Sequence, residues 1–355
     1  MLAMTIEPTK NILLTGAGFT KNFGGYLASE MWAAIFNHPE IQKSGNLRSI
    51  FRGNFDYEWL YDHVVFSATG GPPYTDPEKA ALTNAINNAY KHMHKIVCRD
   101  ELEHLNNASS LCESFLERFA GPSGSRGFLF TLNQDLFLER FYSNKIDPHE
   151  IGIPGLIGRN PRWFSGELAS ELTHSDFVRL PDKGEVDQMK NRFWNDSGPA
   201  LAYVKLHGSY GWRSMSHSDV MVIGHAKAEL IGREPLLDWF LHLFEEALLR
   251  PNRRLVVIGY GFGDDHINNI IVNAIVRYAL RVYVISPEEP KQFKQMLQQL
   301  DNKTVQIGES SYAMGSNLWF GVGGYYQDKL TDLYSKLNRQ LTAKGEEFFR
   351  NLELA

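Results

Sequence analysis

Short apolar runs alternate with amphipathic segments along the chain. Five runs of four or five residues have the length of buried strands, and the last three are rich in valine, isoleucine or tyrosine. After the first and the fourth run, apolar residues recur at the three- and four-residue spacing of a helix face. The repeated order of strand and helix predicts an α/β, Rossmann-like fold, in which a parallel sheet has helices on both faces. The five predicted strands are Ile12 to Thr15, Phe128 to Leu132, Ala202 to Leu206, Leu255 to Ile258 and Val282 to Ile285.

Two long segments interrupt this plan. Residues from about 37 to 125 contain helix-like stretches at 80–104 and 111–119, which predict an inserted helical module. Residues from about 145 to 200 are rich in Pro, Gly, Trp and Asp, which predicts a loop-rich insertion that covers a site or builds an interface. The segment 325–341 carries apolar residues at helical spacing and predicts a closing amphipathic helix. We expect one catalytic domain over residues 1–355 with these two insertions.

The composition narrows the class of protein. With 355 residues, 43% of them hydrophobic, the chain can bury a large core without metals or disulfides. Its net charge of -5 gives no reason to expect direct binding to nucleic acid or to an anionic membrane. The 2 cysteines cannot supply a four-cysteine zinc module, and such sparse use suits a reducing compartment. With no signal-peptide pattern and no apolar stretch long enough for a bilayer, we expect a cytoplasmic protein.

Glycines and polar residues follow each predicted strand. In open parallel sheets, ligands bind beyond the carboxyl ends of the strands, so these segments meet on one rim. A carboxamide, carboxylates, histidines and several glycines therefore converge from distant parts of the chain, which predicts a ligand site. The segments are Gly16-Ala17-Gly18-Phe19-Thr20, Asn133-Gln134-Asp135, His207-Gly208-Ser209, Gly259 to His266, and Ser286-Pro287-Glu288.

The turn after the first strand is a candidate for binding a pyrophosphate. Glycines let the backbone approach the phosphates, and the N-terminus of the following helix supplies N–H groups and a positive dipole end. The spacing departs from G-x-G-x-x-G because Lys21 occupies the third glycine position. A tight strand-to-helix turn without a ligand explains this motif equally well.

The polar residues at the other strand ends also have structural alternatives. Asn133 and Asp135 are good helix caps, and Asp135 is a candidate for both capping and binding. His207 can be a satisfied structural histidine, but its place at a strand end and an ordinary pKa of about 6.5 favour a role in proton transfer. We expect His266, in the first turn of a helix, to orient or hydrogen-bond without taking part in chemistry.

Four of these segments resemble motifs of the sirtuin family, and they occur in the family's order. Gly16 to Thr20 resembles the sirtuin Gly-Ala-Gly loop, and 131–135 resembles the Thr-Gln-Asn-Ile-Asp motif. Lys205 to Gly208 resembles the motif that carries the catalytic histidine. Gly259 to Asn268 looks like the glycine turn of a bacterial sirtuin-like subgroup. This subgroup resembles antiphage effectors that destroy NAD, some of which work with a HerA-like ATPase.

The chain also departs from the sirtuin deacylases. It lacks their zinc module, and Tyr210 to Ser214 replace the strand that holds an acyl-lysine peptide. Asn22 to Gly25 replace the deacylase motif Gly-Ile-Pro-Asp-Phe-Arg. The resemblance therefore implies cleavage of NAD without deacylation.

The resemblance implies an enzyme that hydrolyses the nicotinamide–ribose bond of NAD, with NAD as substrate. Because the chain has only 2 cysteines, we expect no zinc, and we assign no metal site. The resemblance implies that Asn133, Asp135 and His207 are catalytic. It also implies a homo-oligomer and a HerA-like ATPase or helicase as partner. A deacylase, an ADP-ribosyl transferase and a non-catalytic nucleotide-binding scaffold for an ATPase stay open as alternatives. The implied NAD-binding residues are Gly16, Ala17, Gly18, Phe19, Thr20, Gly208, Gly259, Gly261, Asp265, His266 and Ser286.

Overall fold

A computed structural model describes residues 6–66, 74–97, 111–142, 151–156, 177–195, 198–216, 219–224, 226–335 and 340–354. The strands are β1 (Glu7–Thr15), β2 (Ser125–Thr131), β3 (Ile151–Gly152), β4 (Val178–Arg179), β5 (Leu201–Lys205), β6 (Gly208–Arg213), β7 (Asp219–Met221), β8 (Arg254–Ile258), β9 (Arg281–Ser286), β10 (Thr304–Ile307), β11 (Ser310–Ala313) and β12 (Val322–Gln327). The helices are α1 (Ala17–Lys21), α2 (Ala28–Phe36), α3 (Pro39–Lys43), α4 (Gly45–Gly53), α5 (Tyr57–Tyr61), α6 (Asp76–Val97), α7 (111–116), α8 (Phe137–Tyr142), α9 (Lys183–Phe193), α10 (Lys227–Arg233), α11 (Pro235–Leu248), α12 (Asp265–Tyr278), α13 (Pro290–Gln298), α14 (Met314–Phe320) and α15 (Ala343–Leu354).

A parallel sheet flanked by helices forms the centre of the described part of the chain. Its seven strands lie in the order β12-β9-β8-β1-β2-β5-β3, and every neighbouring pair is parallel. The five predicted strands are confirmed as β1, β2, β5, β8 and β9, although Leu132 and Leu206 each lie one residue beyond the end of their strand. In β1, Ile12, Leu13 and Leu14 are all fully buried, as expected for a strand covered on both faces. The fold is α/β and Rossmann-like, as the sequence predicts.

Two strands of the sheet, β3 and β12, are absent from the sequence-based prediction. β12 also shows that the predicted helix over 325–341 is wrong, because Tyr325 and Tyr326 pair in parallel with Val284 and Ile285 of β9. Two glycines and two aromatic residues make 322–327 a poor helix, and pairing with the outer edge of β9 satisfies its backbone. The closing helix comes later, as α15.

The described parts of the two predicted insertions contain regular structure. Helices α3 to α7 lie in the first, where α6 ends at Val97 and residues 98–104 of the predicted stretch fall outside the described ranges. The second contains β3, β4 and α9. Much of this predicted loop-rich segment, namely 145–150, 157–176 and 196–197, also lies outside the described ranges. No helix among the described residues is long and apolar enough to cross a membrane.

The chain adds strands on one side of β1 first (β2 and β5) and on its other side later (β8, β9 and β12). At this switch point, between β1 and β8, two glycine turns lie against each other. A Cβ atom on Gly16 would lie 2.5 Å from the carbonyl oxygen of Gly259, and one on Gly259 would lie 2.3 Å from the backbone nitrogen of Phe19. Gly259 also has φ +66°, a conformation that favours glycine. Only residues without a side chain allow this contact, at the point where open α/β sheets bind ligands.

Candidate active site

A cavity of about 240 Å³ opens at the carboxyl ends of β1, β2, β5 and β8. Residues from α2, α5 and α6 also line it, so the helices between β1 and β2 form part of its wall. The cavity brings together candidate residues from four separate predicted segments. Those that line it are Gly16, Ala17, Asn133, Asp135, His207, Gly259 and Gly261.

The carboxamide of Asn133 braces the first glycine turn. Its Nδ2 donates to the carbonyl oxygen of Gly16 at 2.9 Å and to Oγ1 of Thr20 at 2.8 Å. A carbonyl oxygen only accepts hydrogen bonds, so the nitrogen must face Gly16. Both N–H groups of the amide are therefore engaged, and Oδ1 is the atom of Asn133 with which it can accept a bond from a ligand.

Asp135 caps a helix and holds the same turn. Its Oδ1 accepts from the backbone N–H of Phe137 at 2.9 Å, at the start of α8, and its Oδ2 accepts from Oγ1 of Thr20 at 3.0 Å. Beneath it, the buried ammonium of Lys205 donates to the carbonyl oxygen of Asp135 and to Oε1 of Glu139, the latter at 2.6 Å. The capping role that the sequence left open is thus present, alongside a position on the cavity wall.

His207 is buried at the end of β5 and faces a second histidine. Its Nε2 lies 3.1 Å from Nε2 of His266, and burial lowers the pKa of His207 to about 3. The carboxylate of Asp264, 4.0 Å from the same nitrogen, raises this pKa, but the burial outweighs it. Burial also lowers the pKa of His266. Both imidazoles are therefore uncharged at neutral pH, which differs from the ordinary pKa that the sequence analysis assumed for His207.

An ion-pair triad that the sequence does not indicate lies on the cavity wall. The ammonium of Lys227 contacts Oδ1 of Asp264 at 2.7 Å and Oε2 of Glu58 at 2.6 Å. Burial by itself would raise the pKa of Asp264, but its interactions with His207 and with the ammonium of Lys227 lower it. Burial raises the pKa of Glu58, and Lys227 opposes that rise. Asp264 stands in the glycine turn that the sequence singled out, whereas no sequence signal connects Glu58 with Lys227.

Gln134 is a second residue whose role the sequence did not indicate. Its Nε2 donates to the carbonyl oxygens of Val222 at 2.8 Å and of His207 at 3.3 Å, and its Oε1 accepts from the hydroxyl of Tyr90 at 2.8 Å. Gln134 is buried and lines the cavity. It fixes the backbone of His207 and joins it to α6.

Several predicted NAD-binding residues lie away from the cavity lining. Gly18 packs against Gly259, and Phe19 is a core residue whose ring meets Phe23 and Phe137. Gly208 begins β6 with φ +72° and abuts the backbone of Val220.

The remaining predicted NAD-binding residues have polar partners. Thr20 is hydrogen-bonded to Asn133 and Asp135, and His266 faces His207. Asp265 begins α12 and points to Lys303, whose Nζ lies 2.7 Å from its carboxylate, whereas Asp264, which precedes the helix in extended backbone, lines the cavity. Oγ of Ser286 accepts from the backbone N–H of Glu288 at 3.2 Å.

Comparison with known families adds an independent finding. Residues 127–307 match the model of the SIR2-like domain, which is just over half of the chain. The matched segment runs from β2 to β10 and contains Asn133, Asp135, His207 and Gly259, but not the turn at Gly16. No curated protein gives a match to the chain.

Proposed function

The chain belongs to the SIR2-like family, whose domains bind NAD, and we propose that it hydrolyses the nicotinamide–ribose bond of NAD, releasing nicotinamide and ADP-ribose. One observation carries the proposal: Asn133 and His207, from different strand ends, line one cavity together with the glycines Gly16 and Gly259. A site for this reaction needs polar groups at the ribose and a close backbone approach to the pyrophosphate, and these four residues supply both.

Nicotinamide in NAD is a cationic leaving group, so its departure needs no general acid. The reaction instead needs support for a ribose that resembles an oxocarbenium ion, and a water molecule on its open face. The carboxylates of Asp135 and Asp264 line the cavity and favour positive charge on the ribose. Preorganised charges of this kind act strongly in a site shielded from water.

In this mechanism Asn133 receives the attacking water, or a ribose hydroxyl, through Oδ1. Asp135 holds the turn that Asn133 braces, which agrees with its bonds to Thr20 and to the start of α8. Gly16 and Ala17 receive the pyrophosphate, and Gly259 and Gly261 leave room for it beside β8.

His207 accepts a hydrogen bond from the water or from a ribose hydroxyl. Burial lowers the pKa of His207 to about 3, so the uncharged imidazole is a weak base. A weak base is sufficient because the water becomes strongly acidic once its oxygen bonds to the oxocarbenium carbon. The proton then moves to His207 late in the reaction and leaves to solvent with ADP-ribose.

The proposal is tested by product analysis with two variants. Pure protein incubated with NAD should give nicotinamide and free ADP-ribose in equal amounts. His207→Ala and Asn133→Ala should still bind NAD by calorimetry but cleave it roughly 10²–10⁴-fold more slowly. His242→Ala is the matched control, because that histidine is exposed on α11. Nicotinamide release at the wild-type rate by either site variant would contradict the assigned roles.

The same assay separates the alternatives. A deacylase or an ADP-ribosyl transferase would place the ADP-ribose group on an acyl group or on a protein, leaving little free ADP-ribose. A non-catalytic scaffold would bind NAD without turnover. The substitutions at Tyr210 to Ser214, where deacylases hold their peptide, favour hydrolysis.

We propose further that this hydrolysis depletes NAD in the cytoplasm as an effector of antiphage defence. The resemblance of Gly259 to Asn268 to the bacterial defence subgroup supports this role. It also supports a homo-oligomer gated by a HerA-like ATPase, because an effector that destroys NAD must be restrained at rest. NAD turnover by the chain alone should therefore be slower than by the assembled complex. Equal rates would contradict gating but not hydrolysis.

A further inference from the structure

Two side chains on the cavity wall, those of His207 and Asp264, and the adjoining side chain of His266 bring together atoms that bind metal ions. Among the described residues, His207, Asp264 and His266 place one ligand atom each within 4.8 Å of the others. Nε2 of His207 lies 3.1 Å from Nε2 of His266 and 4.0 Å from Oδ1 of Asp264. The three come from the end of β5 and from the start of α12, so two rigid elements hold them.

These distances are close to those of a tetrahedral metal centre. Two imidazole nitrogens bound to Zn²⁺ at 2.0–2.1 Å lie about 3.3 Å apart when the angle at the metal is tetrahedral. The two histidines already have this separation to within a few tenths of an ångström, and a small movement of the Asp264 carboxylate completes three ligands. A fourth position is then left for water, the pattern of open zinc sites.

We propose that His207, His266 and Asp264 form a binding site for a divalent transition-metal ion of the Zn²⁺ type, and that an ion bound there inhibits the enzyme. The inhibition rests on the proposed function, because the metal takes the Nε2 lone pair with which His207 would accept a proton. Metal binding itself does not depend on that function. Two imidazoles and one carboxylate select Zn²⁺, Co²⁺ or Ni²⁺ over Mg²⁺.

The protonation of the two histidines suits this site. A metal ion binds an imidazole through the ring nitrogen that carries no proton, and the two Nε2 atoms already face each other at the proposed position. The proton between the two facing nitrogens moves to Nδ1 of its own ring by a change of tautomer. No proton is released overall, and no redox step is involved.

Lys227 opposes metal binding. Its ammonium lies 2.7 Å from Oδ1 of Asp264 and would repel a divalent cation bound to the same carboxylate. The chain should therefore bind the ion with moderate affinity, and removal of this charge should strengthen the binding. A purely structural role for Lys227 predicts the opposite effect, which makes Lys227→Met a sensitive variant.

Titration of the EDTA-treated full chain with Co²⁺, followed by visible absorption, tests the site directly. We expect one Co²⁺ per chain, displaced by Zn²⁺ and unaffected by Mg²⁺. The absorption should disappear in His266→Ala and in the more conservative His266→Gln. Lys227→Met should bind Co²⁺ about tenfold more tightly.

The control is His242→Ala, which removes an exposed histidine that lies 3.7 Å from Asp238 and 3.8 Å from Glu245. Co²⁺ binding should be unchanged in this variant. Co²⁺ absorption that survives in both His266 variants, or that is lost in His242→Ala, would overturn the proposal, as would the absence of binding by the wild-type protein.

Inhibition is measured separately, as nicotinamide release with Zn²⁺ and after its removal by EDTA. Reversible inhibition in the wild-type chain and in His242→Ala is expected. If the chain binds Co²⁺ but cleaves no NAD, the metal site stands and the proposed function fails. If it cleaves NAD equally well with the site occupied, the inhibitory role fails.

Discussion

The buried histidine at the end of β5 makes stability depend on pH. Burial lowers the pKa of His207 from 6.5 to about 3 in the folded protein, so the unfolded chain binds a proton there at a pH where the folded chain does not. This contribution to stability is fully present at a pH above 6.5, the pKa of His207 in the unfolded chain. It is lost as the pH falls from 6.5 toward about 3, the pKa in the folded protein. Between about pH 7 and about pH 5 it should shrink by about 2 kcal/mol.

The perturbation that isolates this effect is His207→Asn, whose side chain is uncharged at both pH values. Urea unfolding of both proteins at the two pH values gives four free energies of unfolding. We expect the wild-type protein to lose about 2 kcal/mol more than the variant on acidification. His266 is present in both proteins, so its own titration largely cancels. Equal losses would refute the reasoning, because His207 would then titrate in the folded state near its ordinary pKa.

Three further predictions concern the turn, the sheet and the reaction. Gly259→Ala should lower the free energy of unfolding by about 3 kcal/mol or more. The control Gly263→Ala, with no atom within 4 Å of its new Cβ, should lower it by less than about 1 kcal/mol. Similar urea unfolding curves for the two variants would contradict the close approach of the two turns. Lys205→Met should lower the free energy of unfolding by roughly 3–5 kcal/mol, because it leaves the buried carboxylate of Glu139 without its ion-pair partner. Adding Glu139→Leu should recover most of that loss. Losses that simply add in the double variant would contradict the pairing. Nicotinamide release at about pH 5.5 should stay within about twofold of its rate at pH 7, because His207 is still uncharged there; a steep fall below about pH 6.5 in the rate profile would contradict the lowered pKa.

The strands that the sequence predicts are the ones whose burial is nearly complete. Runs such as Leu255 to Ile258 are too short for helices and carry β-branched residues, so their local pattern is sufficient. β12 is different, because its tyrosines at 325 and 326 are only partly buried at the edge of the sheet. The helical spacing that predicted a helix here comes from the residues that follow, Leu330, Leu333 and Leu337, and the open edge of β9 decides that 322–327 forms a strand.

The candidate site also contains residues that the sequence predicts and residues that only the tertiary structure brings together. Asn133, His207 and Gly259 were predicted from their places after strands, and parallel topology brings such positions to one rim. The sequence did not distinguish Asp264 from its neighbour Asp265, since the backbone turn from the extended Asp264 into α12 decides which carboxylate lines the cavity. The contact of Lys227 with Glu58 was also beyond prediction, because these residues are distant along the chain and meet only through packing.

The sequence by itself determined five of the seven strands of the central sheet, the glycine turns and the family, because apolar run length, the conformational freedom of glycine and motif order are local properties. Only the tertiary structure decided the electrostatics of the cavity. The lowered pKa of His207 and the engaged amide of Asn133 depend on burial and on atoms brought close from other elements, and neither leaves a trace in local sequence pattern.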